Sequence, residues 1–355
     1  MRIAQVSPLF ESVPPRYYGG TERVVSYLTE ALVQLGHEVT LFASGDSRTS
    51  ARLIPISPRA LRLAPELGEA YPYHVLALER VYRHRHEFDI IHFHIDYTHY
   101  AVTRRVGWAH LTTLHGRLDL PALQALYDEY GDMPVASISD AQRRPLPQAN
   151  WCGTVHHGLP PESLALHERP GPYLAFLGRI SPEKRVDRAI EIARRAGLPL
   201  RIAAKVDRAD RRYVEGEITP LLAAPGVEYI GEIGEEQKND FLGGAIALLF
   251  PIDWEEPFGL VMIESMACGT PVIAWNRGSV REIIDDGVTG YVVSSIDEAV
   301  DATRRAEPLS RRACRRMFEQ RFLAERMARD YLELYRTIAR PRRGSPALVT
   351  EGEVA

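Results

Sequence analysis

Lysine is scarce in this sequence. Only Lys184, Lys205 and Lys238 occur in 355 residues, and the other strong bases are arginines. Cysteine is scarce too. Cys152, Cys268 and Cys314 are odd in number and form no C-x-x-C pair, which indicates neither a disulfide framework nor a zinc ribbon and fits a reducing compartment. No apolar run approaches the roughly 20 residues that span a bilayer. Residues 1–8 read as a short apolar run and not as a signal peptide, so a cytoplasmic protein is expected. Positive charge is not in excess. Lys+Arg is 43, Asp+Glu is 47 and the net charge is −4, which leaves no basic footprint for nucleic acid. No two glycines are separated by one residue, so the dinucleotide fingerprint G-x-G-x-x-G cannot occur. Gly-Lys is absent, which removes the P-loop.

What is present is ordinary globular material. Hydrophobic residues make up 45% and charged residues 25%. At roughly 150 residues per domain, two domains are expected. The pattern is β/α throughout. Residues 3–7 read as a buried strand, Val24, Val25, Leu28, Leu32 and Leu35 recur at helical steps, and residues 38–43 read as a second strand. Residues 55–72 are proline-rich and read as loop or short helical excursions, and 74–86 as helix. Strands are expected at 89–94, 111–115, 135–139 and 154–157. Residues 159–172 contain four prolines and read as a linker. A second series places strands at 173–177, 200–204, 227–230, 246–250, 271–274 and 291–293, and a helix at 185–196. From 297 to 338 the chain reads as mostly helical, and from 340 as a loose tail. Two parallel α/β domains enclose a cleft, and ligands of such sheets sit outside the carboxyl ends of the strands.

The loops after strands therefore matter most. Gly19-Gly20, opening a helix, suit either a phosphate or sugar contact or an ordinary tight turn. His92 and His94 share a strand face with Asp96 next in step. Three alternating positions on one strand chelate a metal poorly, and polar packing or a sugar hydroxyl contact competes. His115 ends a strand before Gly116, where an imidazole suits hydrogen bonding or proton handling, or a satisfied structural role. Arg179 and Lys184 stand five residues apart on a loop, as a diphosphate would need; two solvated cations is the alternative. Glu256 and Glu264 flank a loop-to-helix junction, Pro257 to Leu260. A carboxylate accepts the vicinal hydroxyls of a sugar, although a pair of surface acids has the same spacing.

Together these residues resemble family 4 of the retaining glycosyltransferases. Glu256-Pro-Phe-Gly-Leu to Glu264 matches its E-x7-E motif. Gly19-Gly20, Asp89-Ile-Ile-His92-Phe-His94, Leu114-His115-Gly116, Gly178-Arg179 with Lys184, and Ala267-Cys-Gly-Thr-Pro-Val272 with Glu282 follow the family's remaining elements in order. The resemblance implies an α/β GT-B fold of two Rossmann-like parallel-sheet domains: 1–160 on the acceptor side, 171–318 on the nucleotide-sugar side, a helix at 319–339 crossing back to the first domain, and a tail at 340–355. It implies transfer of a sugar from a nucleotide-diphosphate sugar, such as a UDP- or GDP-sugar, to a carbohydrate, lipid or small-molecule hydroxyl with retention, and no other cofactor. It implies that Arg179 and Lys184 hold the diphosphate and Glu264 the ribose. Glu256 and the backbone of Phe258, Gly259 and Leu260 would contact donor sugar and phosphate, His115 the transferred sugar, and Gly19 and Gly20 the phosphates. No metal is required, and no Asp-x-Asp is present to hold one. The chain departs from the family pattern at Arg185 and Ser279, where glycine is usual, and at His157, where asparagine is usual.

Two other functions share these features: a nucleotide-sugar epimerase of the same fold, and a catalytically silent nucleotide or sugar binder. One partner question also arises. Arg304, Arg305, Arg311, Arg312, Arg315 and Arg316 cluster in helical sequence and read as a solvated helix face or as a weak peripheral contact with an anionic membrane.

Overall fold

Two runs of alternating strands and helices build two separate parallel sheets. The structure, a computed structural model, describes residues 1–17 and 19–339; the tail expected from 340 lies outside the described residues. The first sheet contains β1 (Arg2–Val6), β2 (Glu38–Ala43), β3 (Arg52–Pro55), β4 (Ile90–Phe93), β5 (His110–Thr113), β6 (Pro134–Ser137) and β7 (Asn150–Thr154). Their order is β3-β2-β1-β4-β5-β6-β7. The second contains β8 (Tyr173–Arg179), β9 (Leu200–Lys205), β10 (Val227–Gly231), β11 (Ala245–Phe250), β12 (Val272–Trp275) and β13 (Gly290–Val293), in the order β10-β9-β8-β11-β12-β13. Strand order reverses beside β1 and beside β8. Those reversals open a crevice at the carboxyl ends of β1 and β4 in one sheet, and of β8 and β11 in the other.

The central strands are apolar on both faces because helices cover both faces. β11, Ala-Ile-Ala-Leu-Leu-Phe, is buried at every position, as parallel sheets require. The helix Gly20–Gln34 lays Val24, Leu28, Ala31 and Leu32 on the first sheet. Two strands differ from the sequence reading. β3 carried no expectation and ends at Pro55, where the stretch read as irregular begins; it is a four-residue edge strand, too short to show a period. The last strand of the first sheet is Asn150–Thr154 and not 154–157. It is an outer strand with no fully buried residue, so its sequence carries no apolar run.

The helical region from residue 297 divides into Ile296–Ala306, Arg311–Arg321 and Ala324–Ala339. The last of these leaves the second sheet and packs on the first. Met327, Ala328, Tyr331, Leu332 and Tyr335 are buried with Ile3, Val24 and Leu28. The arginine cluster is not one solvated face. Arg311 is buried and donates to the carbonyls of Gly243, Ala245 and His167. Arg315 donates to the carbonyls of Pro161, Leu164 and Ala267. Both clamp the linker to the second domain, leaving Arg304, Arg305, Arg312 and Arg316 exposed. Among the described residues, no helix is long and apolar enough to cross a membrane.

The outgoing linker and the returning chain also meet through a pair of backbone hydrogen bonds. Leu159 N–H donates to the Phe322 carbonyl at 2.9 Å, and Ala324 N–H donates to the Leu159 carbonyl at 2.9 Å. Gly158 lies against the Leu323 backbone so closely that a Cβ would overlap its carbonyl. Gly158→Ala is therefore expected to destabilise the protein by about 2 kcal/mol in urea unfolding. Gly216→Ala, at an exposed helical position with open space, is expected to be neutral or stabilising by about 0.5 kcal/mol. Equal effects would show that the crossing point is not tight.

Candidate functional site

The carboxyl ends of both sheets line one cavity of about 420 Å³, within the range that holds a small-molecule ligand. Gly19 and Gly20 reach it from the loop after β1, and His115 from the end of β5. Arg179 and Lys184 reach it from the end of β8 and the turn Pro182–Lys184. Glu256, Phe258, Gly259, Leu260 and Glu264 come from the loop and helix after β11. The ten residues to which the family resemblance gives a role all line this one space, whereas His92, His94 and Asp96 do not. All three lysines line it as well.

The wall made by the second domain is charged and internally neutralised. Lys184 Nζ is ion-paired with Glu256, which also accepts a hydrogen bond from Trp254 Nε1 at 3.0 Å. The lysine and glutamate side chains retain only 16% and 11% exposure, so neither is free to find another partner in water. Arg179 is ion-paired with Glu183 and lies 3.4 Å from Asp207 and 3.6 Å from Asp210. Lys238 donates to Glu264 at 2.6 Å and lies 3.2 Å from Glu235. Glu235 in turn pairs across the cleft with Arg23 at 2.6 Å, and Arg23 is buried on the first domain's helix. A chain of alternating charges thus bridges the two domains beside Glu264.

Apart from Arg23, the wall made by the first domain is uncharged. His115 stacks on His157 at 5.3 Å between centroids, and His157 meets Phe258 edge-on at 4.8 Å. Burial holds the His115 imidazole down to about 3 and pushes His92, His94 and His157 well below the usual histidine range. His92 and His94 do not converge on a metal. His92 bonds Tyr335 and Thr113, and His94 bonds Gln5 and His115. Among the described residues, no group of three or more His, Cys, Asp or Glu is placed to hold a metal.

The departures from the family pattern find physical explanations. Arg185 adopts φ 55, the left-handed backbone that glycine takes without cost; its guanidinium is engaged by Asp187 and Asp253 and does not line the cavity. Ser279 braces the Glu256 loop: its N–H donates to the Glu256 carbonyl at 3.0 Å and its Oγ to the Phe258 carbonyl at 2.8 Å. Gly278, at φ 54, passes so close to the Glu256 backbone that no Cβ fits. Sequence reasoning did not single out Arg23, Lys238, Glu235 or Trp254 as site residues. For Lys238 the rarity of lysine was the available signal. The Arg23–Glu235 pair spans more than half the chain and leaves no local trace.

Residues 18–152 match the sequence model of Glycosyltransferase Family 4, and residues 165–319 that of Glycosyl transferases group 1. The chain is 27% identical over 192 residues to the alpha-maltose-1-phosphate synthase of Mycolicibacterium smegmatis, covering 47% of this chain and 48% of that protein. It spans about half the length, or less, of the first curated relatives it matches. Among solved structures it resembles AviGT4, a glycosyltransferase involved in avilamycin A biosynthesis, with a TM-score of 0.74 and 26% identity over 96% of this chain and 98% of that one. It also shares the fold of HepE from Anabaena, solved in complex with UDP-glucose, with a TM-score of 0.69 and 16% identity over 95% and 100%.

The buried histidines predict an acid-sensitive fold. Unfolded histidine titrates near 6.5, and these four stay neutral in the folded state well below that. Acidification therefore protonates the unfolded chain first. Stability is intact above about pH 6.5 and falls as pH drops toward the folded values, by about 1.4 kcal/mol per pH unit for each such histidine. Urea unfolding at pH 7.5, 6.5 and 5.5 is expected to show little change over the first step and a clear loss over the second. A constant midpoint would mean that these histidines titrate freely.

Proposed function

The chain belongs to family 4 of the glycosyltransferases and has their GT-B fold, and from that premise we propose that it transfers a sugar from a nucleoside-diphosphate sugar to an acceptor hydroxyl with retention of configuration. The observation that carries the reading is the concentration of charge on one wall. Arg179 and all three lysines line a single cavity, and the Lys184 and Arg179 cations are held there by carboxylates. A diphosphate is the ligand that best satisfies convergent cations of both types: arginine forks two oxygens and lysine adds a point charge. The UDP-glucose bound to HepE supports a donor of this class.

On this reading Arg179 and Lys184 hold the donor diphosphate, and Glu264, oriented by Lys238, accepts from the ribose hydroxyls. Glu256 and the backbone of Phe258 to Leu260 face the sugar and its phosphate. Gly19 and Gly20 let the first domain approach the phosphates, and His115 contacts the transferred sugar. The bond from the anomeric carbon to the phosphate oxygen breaks, and the acceptor oxygen bonds the same face. The acceptor's proton passes to the departing phosphate. The protein's contribution is positioning and stabilisation of charge growing on the leaving group, with no metal invoked.

Thermal shift with UDP, GDP, ADP and NAD separates this reading from its competitors. A ligand at ~100 times its dissociation constant adds about 2.7 kcal/mol. One nucleoside diphosphate is expected to shift the transition and NAD to leave it unchanged; no shift with any diphosphate would contradict the proposal. Glu264→Ala is expected to weaken that nucleotide by about tenfold, the scale of one lost charged hydrogen bond. Lys184→Ala is expected to lower kcat by about 10²-fold or more. Recovery of the sugar on an acceptor, and not as an altered nucleotide sugar, excludes an epimerase.

A further inference from the structure

Behind His115 lies a line of buried polar side chains that reaches the returning helix Ala324–Ala339. His115 Nε2 is 2.9 Å from His94 Nδ1, and His94 Nε2 is 2.7 Å from Gln5 Oε1. Gln5 Nε2 donates to the Tyr335 hydroxyl at 3.2 Å. That hydroxyl is 2.6 Å from His92 Nδ1, and His92 Nε2 is 2.7 Å from Thr113 Oγ1. Thr113 Oγ1 donates to the Tyr331 hydroxyl at 2.9 Å. Gln5, His92, His94, Thr113, Tyr331 and Tyr335 are all at least 97% buried, so water does not interrupt the line.

With the Gln5 amide oxygen turned to His94 and its nitrogen to Tyr335, the proton positions follow from donors and acceptors. Gln5 Oε1 can only accept, so His94 Nε2 carries a proton. A neutral His94 then has a bare Nδ1, which must accept from His115 Nε2–H. On the other side, Tyr335 receives from Gln5 and gives its proton to His92 Nδ1. His92 Nε2–H donates to Thr113, and Thr113 donates to Tyr331. Every member between His115 and Tyr331 gives one proton and takes one, in a single direction. The burial that keeps these imidazoles neutral removes the protonated alternative. The His115 ring lines the cavity, and its Nδ1, enclosed there, is the one nitrogen of the relay with no partner.

We propose that Gln5, His94 and Tyr335 are positioning residues that fix His115 as its Nε2–H tautomer, so that the imidazole offers the donor sugar a hydrogen-bond acceptor at Nδ1. The matching ligand group is a sugar hydroxyl that donates. Tyr335 lies on the helix that crosses from the second domain, so docking of that helix sets the tautomer of a side chain in the cleft. This inference rests on the transfer reading for its ligand, but the tautomer itself does not.

The test is ¹⁵N-imidazole NMR of the full chain, with the His115 signal identified by its loss in His115→Gln. The expected result is a protonated Nε2 and a bare Nδ1; a proton on Nδ1 overturns the proposal without any variant. Tyr335→Phe and Gln5→Met, which keep shape and remove the relay, are then expected to populate both tautomers of His115. They are expected to lower kcat about tenfold while the donor KM stays within about twofold. An unchanged tautomer, or an unchanged kcat despite a changed tautomer, overturns the positioning role. Absence of transfer by the wild type with every donor would instead remove the transfer reading, and the NMR result would still decide the relay.

Discussion

A lysine in a cleft wall with 16% of its side chain exposed needs a counter-charge, and Glu256 supplies it to Lys184. Much of the site is built to keep that pair in place. The turn Pro182–Lys184 delivers the lysine from the end of β8, and the loop after β11 delivers the glutamate. Trp254 bonds the same carboxylate, and Gly278 and Ser279 press on the backbone behind it. Arg179 is treated likewise, with three acids around one guanidinium. A cleft whose cations are already paired is stable when empty. A ligand carrying more than one negative charge can compete for those cations, and a neutral one has little to offer them.

The two walls differ in kind. The second domain contributes charges in pairs, whereas the first contributes glycines, neutral imidazoles and one buried arginine that reaches across to Glu235. A donor molecule has the same division, a charged diphosphate joined to an uncharged sugar. On the proposed reading, a His115 kept neutral by burial would present a hydrogen bond to the sugar without adding charge that competes for the phosphates. The returning helix belongs to both halves of this arrangement. It closes the back of the first domain with Tyr331 and Tyr335, and it meets the linker where Gly158 leaves no room.

Much of this was legible in the sequence because the central strands are continuous apolar runs and the site residues follow them directly. β2 and β11 show this plainly, and the ten residues given a role by the family resemblance gather in one cavity. What escaped was set by exposure or by distance along the chain. β3 and β7 are outer strands with few buried side chains, so periodicity could not reveal them. Arg311 and Arg315 have the composition of a solvated face, yet their partners are backbone carbonyls supplied by tertiary contact. The His94–His115 bond and the Arg23–Glu235 pair join residues whose proximity only the folded sheets create. Neither has a spacing that a sequence pattern could register.

The central claim is that the paired cations of the cleft are reserved for a diphosphate. Calorimetric titration of each nucleoside diphosphate against its own nucleoside tests it most directly. The account predicts that one diphosphate binds at least about 100-fold more tightly than its nucleoside, a difference of about 2.7 kcal/mol, and that Lys184→Met removes most of that difference. Equal affinity for nucleoside and diphosphate would contradict it.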